Sequence, residues 1–543
     1  MVSWHAPPML APDLFARLDL ASAVAKELQV PNRLLPRRWD YSALAPHADG
    51  VAEKLKPVIR RGKTLGSLAD VVLADKGWRG VRPLNVMSLQ DRVLYRALVD
   101  LITLSLPEHL RQRPTMRDFR LSPLQVEGVT HITKTDVTAY YQYVDHDLLA
   151  DELIAQTGEE PAVDALTRLL RGMMGRSLGI PQIHQSSDVL GDTYLDPVRR
   201  QLAREGLVIF RYSDDFRIAS TSLGQARRAL ESCATAVRER GLVLNERKTF
   251  TYRKNNYVLS LLRYRTAEQD LFANPDNAAS DDDLALLDDA YSDEEVQQEA
   301  TESPTTLGSS PVTEAVDDDE AIAHAEGALS NENGEDEQAV DERRARAAER
   351  AWQLWLDEDE DEHHQSSEDA SVTQSLLGRA LPTLGANGDD GPLNNLGQLL
   401  RYEPALTPQL AGYIVSYAAT GGRANRKAAR ALAAVARSDL VSSWQALWLA
   451  QSAGSLTAVA DDDLTAWLSE QVVTGRDALA ATAAAALGRR GGGDSDVLAR
   501  RLSSVGPEWR TLLLYGLGLL APERASDTAD SDFDRLLLNA LPS

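Results

Sequence analysis

The sequence predicts an α+β N-terminal half joined through an acidic stretch to an all-helical C-terminal part. Three observations predict this. Residues 1–265 mix strand and helix patterns without the regular alternation of a doubly wound sheet. Residues 266–370 hold 34 Asp/Glu against 4 Arg, with few aromatic side chains. Residues 371–543 repeat Ala- and Leu-rich amphipathic segments.

In the first part, Val93, Leu94, Ala97, Leu98, Leu101 and Ile102 recur at helical spacing and predict a helix over 89–106. Residues 131–137 read as a strand that runs into an acid. Residues 207–220 read as two short strands joined by a Ser-Asp-Asp turn. The chain as a whole carries a net charge of −24, but residues 1–265 carry 38 Lys/Arg against 30 Asp/Glu. The acid is concentrated elsewhere, and this half is mildly basic, as a polyanion-binding surface needs.

A segment as acidic as 266–370 cannot bury enough apolar surface to offset its ordering entropy, so it predicts a disordered linker. One helix over 342–356 is expected inside it, with Trp352 and Trp355 as docking residues. Its net charge of −30 suits either a passive tether or a nucleic-acid mimic that covers a basic groove until substrate displaces it. The pair His363-His364 in its acidic run reads as solvated rather than metal-binding.

Beyond it, helical patterns over 424–437, 441–452, 464–473, 478–488, 497–504, 509–520 and 534–541 are punctuated by Gly, Pro and Asp. Short helices at this density predict a HEAT-like α-solenoid or a compact bundle, although no strict period is present. Trp444 and Trp448, four apart, read as core, and Gly491-Gly492-Gly493 as a turn. The domains expected are therefore 1–265, 266–370 and 371–543.

A single cysteine, Cys233, excludes a disulfide framework and fits a cytoplasmic protein. The first residues lack the pattern of a signal peptide. The longest apolar run, near 512–520, is too short to span a bilayer and contains Gly516 and Gly518, so no membrane association is expected.

The chemistry concentrates in two places. Asp214 and Asp215 are adjacent carboxylates flanked by Tyr212, Phe216 and Ile218 rather than by the Ser and Glu of the acidic stretch. Two like charges in an apolar frame ask for a compensating cation. Asp136 ends the other strand-like run. Carboxylates on neighbouring strands can clamp two divalent ions about 3.5–4 Å apart, and magnesium suits oxygen-only donors, with manganese as an alternative.

The chain resembles the reverse transcriptase family over most of residues 60–260. Tyr212-Ser213-Asp214-Asp215 matches its Tyr-x-Asp-Asp box, and Asp136 with Tyr141 its first palm motif. Gly179-Ile180-Pro181-Gln182, followed by Ser187, Leu190, Tyr194 and Leu195, resembles its "LPQG…S…LAN.YL" segment. Gly241-Leu242-Val243-Leu244-Asn245 with Lys248-Thr249 resembles "GL.LN..KT", and Arg82 with Asp91-Arg92-Val93 and Tyr95 the fingers motif. Three positions depart from the pattern: Ile183 stands where Gly is usual, Asp192 where Asn is usual, and Ser213 where Ala is commoner.

The resemblance implies a right-hand polymerase fingers–palm domain. It implies Asp136 and Asp214 as metal ligands, Asp215 as the third carboxylate and Tyr141 as the steric gate beneath the sugar. It implies Gln182 and Arg82 as contacts to the nucleotide and Lys248 as the group that meets the departing pyrophosphate. Implied partners are dNTPs, an RNA template or structured non-coding RNA, and a DNA product. The layout resembles unknown-group reverse transcriptases of the abortive-infection type, which act in phage defence, some without a template or from a protein hydroxyl. Oligomerisation through the helical domain is a further expectation. The alternatives are a retron or mobile-element enzyme, and a catalytically silent nucleic-acid-binding scaffold.

Overall fold

The structure is a computed structural model that describes residues 10–29, 33–62, 66–77, 80–261, 337–357, 368–438, 441–456 and 462–541. The expectations for the acidic stretch 266–336 and for His363-His364 lie outside the described residues. The chain divides into two compact units, one formed by residues 1–107, 145–190 and 381–543, the other by 108–144 and 191–380. The boundary at residue 190 falls inside the 20-residue helix Gln185–Arg204.

The second unit is built on an antiparallel sheet. Its strands are β3 (His131–Thr135), β4 (Val208–Tyr212), β5 (Asp215–Ser220) and β6 (Phe250–Arg253), in the order β4-β5-β3-β6. β3 is thus central, and Ile132 on it is fully buried in a cluster with Leu124, Val129, Ala219, Tyr252, Tyr257 and Val258. Helix Leu223–Arg238 packs against β3 and β5 and buries Ala226, Ala229, Cys233 and Val237. Ser222 caps it by accepting the backbone N–H of Gln225. Burial in this core pushes the Cys233 thiol up to about 12, which leaves it unreactive. Within the acidic region, helix Glu337–Asp357 encloses the expected 342–356, and Trp352 and Trp355 are buried in a stacked pair 5.2 Å apart.

The first unit joins the two ends of the chain. Its N-terminal part holds helices Leu20–Gln29, Trp39–Leu44, Ala48–Arg61 and Leu89–Thr103, and a hairpin of β1 (Asp70–Asp75) and β2 (Val81–Val86). Helices His146–Thr157 and Glu160–Met174 complete it. The C-terminal residues form two rows of helices. Thr407–Ala419, Ser443–Ser455, Asp477–Arg490 and Pro507–Leu520 make the inner row. Gly422–Ala436, Asp462–Thr474, Ser495–Leu502 and Pro522–Thr528 make the outer one.

Small residues let the inner row close up. A Cβ on Gly516 would stand 2.3 Å from the Ala484 carbonyl oxygen, and one on Gly488 2.3 Å from that of Gly516. Polar bonds tie the rows to the N-terminal segment. Arg38 donates to the carbonyl of Glu508 (2.8 Å), Trp444 Nε1 to that of Leu34 (2.6 Å) and Trp509 Nε1 to Asp70 Oδ2 (2.7 Å). The helical region therefore shares its core with residues from the start of the chain.

Candidate active site

The strand register brings the acids to one end of the sheet. Thr135 pairs with Phe216, so Asp136, the next residue, falls beside Asp215 at the start of β5. Tyr212 pairs with Asp215, which leaves Ser213 and Asp214 as a two-residue hairpin turn. Lys134 pairs with Phe250, so Lys248, two residues before β6, reaches the same end. Beyond β3 the chain stays clamped: the Asp136 carbonyl accepts the N–H of Asn245 (2.9 Å), and Thr138 donates to the Val243 carbonyl (2.9 Å).

Cations lie against Asp136 and Asp215. Lys248 Nζ is 3.6 Å from Asp136 Oδ2, and both side chains are largely buried. Arg217 Nη1 is 3.6 Å from Asp215 Oδ1. The Arg217 side chain is itself buried, with its guanidinium 4.8 Å from the Phe119 ring centroid. Among the described residues no group of three or more His, Cys, Asp or Glu side chains converges as a ready metal cluster. The oxygen-only donor set at one sheet end is of the kind hard divalent ions take.

Three non-glycine residues among those described adopt positive φ: Ala139 (49°), Ile183 (54°) and Ser213 (54°). All three lie within the motifs singled out from the sequence. Such conformations cost on the order of 1–3 kcal/mol each and persist where the surroundings over-determine them. Ala139 turns the chain between Asp136 and Tyr141. Ser213 turns the hairpin that carries Asp214, and its hydroxyl lies 2.9 Å from the Tyr141 hydroxyl. Tyr141 also packs edge-on against Tyr140, whose own hydroxyl donates to the Gly191 carbonyl (2.6 Å).

Asp192 proves to be a structural node. It receives Arg113, and its Oδ1 accepts Arg211 Nη1 at 2.8 Å. The same Arg211 nitrogen donates to the Ser213 carbonyl (2.8 Å), so the acid holds the Ser213-Asp214 turn through one guanidinium. An Asn, neutral at this position, would leave two arginines without that charge.

Gln182 and Arg82 belong to the other unit. Arg82 sits on β2 opposite Ala74, on the strand face that also carries the buried Leu84 and Val86. Gln182 lines a cavity with Ile183, His184, Arg37, Trp39 and Trp509. The loop that carries it is fixed by His146, whose Nε2 bonds the Gly179 carbonyl at 2.6 Å. Burial pushes the His146 imidazole below its usual pKa, so the ring is neutral and donates.

His184 is a structural residue. Its Nε2 lies 3.1 Å from Glu27 Oε1, and the fully buried Glu27 also binds Arg92 (2.6 Å) and Arg96. Asp91 of the fingers motif is buried as well. It accepts the N–H of Gly66 (2.8 Å) and the hydroxyls of Ser67 and Ser88, both at 2.9 Å.

Asp136, Asp214, Asp215, Lys248 and Tyr141 thus share one unit, while Gln182 and Arg82 lie in the other. Sequence reasoning missed Arg217, Arg211 and His146. Asp192 and Ser213, flagged only as departures, were the available signals for the network around the turn.

A sheet end bearing carboxylates on neighbouring strands, beside a lysine and an aromatic ring, carries the kind of groups that nucleotidyl transfer uses. Residues 74–270 match the family model described as reverse transcriptase (RNA-dependent DNA polymerase). This reverse transcriptase domain indicates a nucleotidyltransferase, an RNA-directed DNA polymerase, whose substrates are a nucleic-acid template and dNTPs. No curated protein matches the chain.

Proposed function

We propose that the protein adds dNTPs to a 3′-hydroxyl or a protein hydroxyl by two-metal catalysis, RNA-directed or untemplated, in antiphage defence. The observation that carries the chemistry is the register that sets Asp136 beside Asp215 and next to the Asp214 turn. Asp136, Asp214 and Asp215 would hold two Mg2+ or Mn2+ ions, which supply activation of the attacking hydroxyl and neutralisation of the leaving pyrophosphate. Lys248, 3.6 Å from Asp136 Oδ2, would meet the departing pyrophosphate. Tyr141 takes the role of sugar gate, and Gln182 and Arg82 those of nucleotide contacts.

The two-row packing of the C-terminal helices supports a HEAT-like repeat, and with it the likeness to the defence-associated enzymes. A structured RNA as template and self-association through the helical rows belong to the same reading. No helix among the described residues is long and apolar enough to cross a membrane, in keeping with work in the cytoplasm.

The test is incorporation of labelled dNTPs by the full chain. Magnesium-dependent product is expected from the wild type and none from Asp214→Asn, with an unchanged circular dichroism spectrum. Equal incorporation by the two proteins sinks the assignment of the site. No product from either leaves the scaffold alternative in its place. Phage plating on cells carrying each variant reads the defence role, which requires Asp214→Asn to lose protection.

A further inference from the structure

The outer row of C-terminal helices contains one member unlike the rest. Helix Gly422–Ala436 (GRANRKAARALAAVA) carries no acid, although acids outnumber bases 81 to 57 in the whole chain. The other three outer helices all carry acids: Asp462, Asp463 and Glu470; Asp496; and Glu523 with Asp527. An ordinary solvated helix intersperses both signs, because i,i+4 pairs stabilise it and like charges repel.

The charges of Gly422–Ala436 are also ordered. Arg423, Arg426, Arg430 and, at the C-cap, Arg437 are all exposed. At 3.6 residues per turn they fall within an arc of about 60° and form a row roughly 21 Å long. The opposite face is apolar and buried through Ala428, Ala429, Leu432 and Ala436. Among the described residues, two carboxylates are seated against this row and the neighbouring Lys427. Asp390 binds Lys427 and acts electrostatically on Arg423, and Asp463 lies 3.6 Å from Arg437. Among the described residues, five cations thus face two acids, an excess of three positive charges.

We infer that this arginine row is a docking surface for the phosphate backbone of single-stranded DNA, the strand that the proposed polymerase activity makes. The choice of DNA rests on that reading; the surface itself does not. Guanidinium groups suit phosphate because they donate in a fixed fork. No Trp, Tyr or Phe lies on the helix, so the row lacks a stacking platform and reads charge rather than base identity.

The experiment is equilibrium binding of a fluorescent mixed-sequence DNA oligonucleotide to the full chain between 50 and 300 mM NaCl. The proteins compared are wild type, the triple variant Arg423→Ala/Arg426→Ala/Arg430→Ala, and the matching triple Lys variant. Three lost phosphate contacts lower the slope of log K against log salt by about 2 and weaken binding about tenfold or more at low salt. The Lys variant, which keeps the charge, is expected to retain most of the slope. Unchanged affinity and slope in the Ala variant overturn the proposal, and so does tighter binding of RNA of the same sequence. Asp214→Asn is expected to bind the oligonucleotide like wild type while incorporating no dNTP, which separates failure of this surface from failure of the active-site assignment.

Discussion

At the scale of single residues, the Ser213-Asp214 turn depends on side chains whose partners are distant in sequence. Ser213 is held at φ 54° and spends its hydroxyl on Tyr141. In the gate role proposed for it, Tyr141 occupies the volume of a 2′-hydroxyl, and a ring that lacks this bond occupies it less of the time. One neutral hydrogen bond contributes about 1 kcal/mol, which corresponds to about a fivefold change in an equilibrium. Ser213→Ala is therefore expected to lower the ratio of dNTP to rNTP kcat/KM about fivefold, with dNTP turnover nearly unchanged, and Tyr141→Phe to match it. The double variant should be no worse than either single one. Additive losses would show that the two hydroxyls do not act as a pair.

The carboxylates were legible because Asp136 follows a strand-like run and Asp214-Asp215 stand between the β-type segments Val208–Tyr212 and 216–218. Asp192, Arg211 and Arg217 were not, because their meaning lies in contacts the chain makes only after the sheet has formed. The left-handed turns at Ala139 and Ile183 escaped for a similar reason. Nothing in a β-branched residue such as Ile183 announces positive φ, which only its surroundings enforce.

At the scale of elements, the buried Glu27 ties helix Leu20–Gln29 to helix Leu89–Thr103 through Arg92 and Arg96, and to the Gln182 loop through His184. Burial by itself would raise its pKa. Arg92, His184 and Arg96 together override burial and hold the carboxyl well below the usual carboxylate range. A depressed folded-state pKa contributes stability that is present above the unfolded value, about 4.3, and is lost as pH falls toward the folded one. Urea unfolding is thus expected to show wild-type stability declining from about pH 4 downward. Glu27→Gln should be less stable at pH 7 by about 3–5 kcal/mol, since it leaves the buried Arg96 and the half-buried Arg92 uncompensated, and flatter in acid. Parallel pH profiles for the two proteins would remove Glu27 from this role. Helix positions themselves were readable from periodicity: the expected helix over 89–106 is found as Leu89–Thr103. That the C-terminal rows would close on Arg38 and Leu34 was not readable, because periodicity shows that a helix has a buried face and not what covers it.

At the scale of the whole molecule, charge is segregated along the chain rather than balanced locally. Residues 266–336 contain no Lys or Arg, while residues 1–265 carry an excess of cations. A polyanion tethered to a polyanion-binding enzyme competes with substrate at a high effective concentration, and salt screens that competition within about 10 Å at 0.1 M. Removing residues 270–336 leaves helix Glu337–Asp357 and its buried Trp352 and Trp355 in place. The deletion is expected to raise affinity for RNA at 50 mM salt severalfold, with the gain vanishing by 300 mM as both proteins lose their electrostatic binding. A gain that persists at high salt would point to steric exclusion instead of charge competition. No gain at low salt would reduce the acidic stretch to a tether.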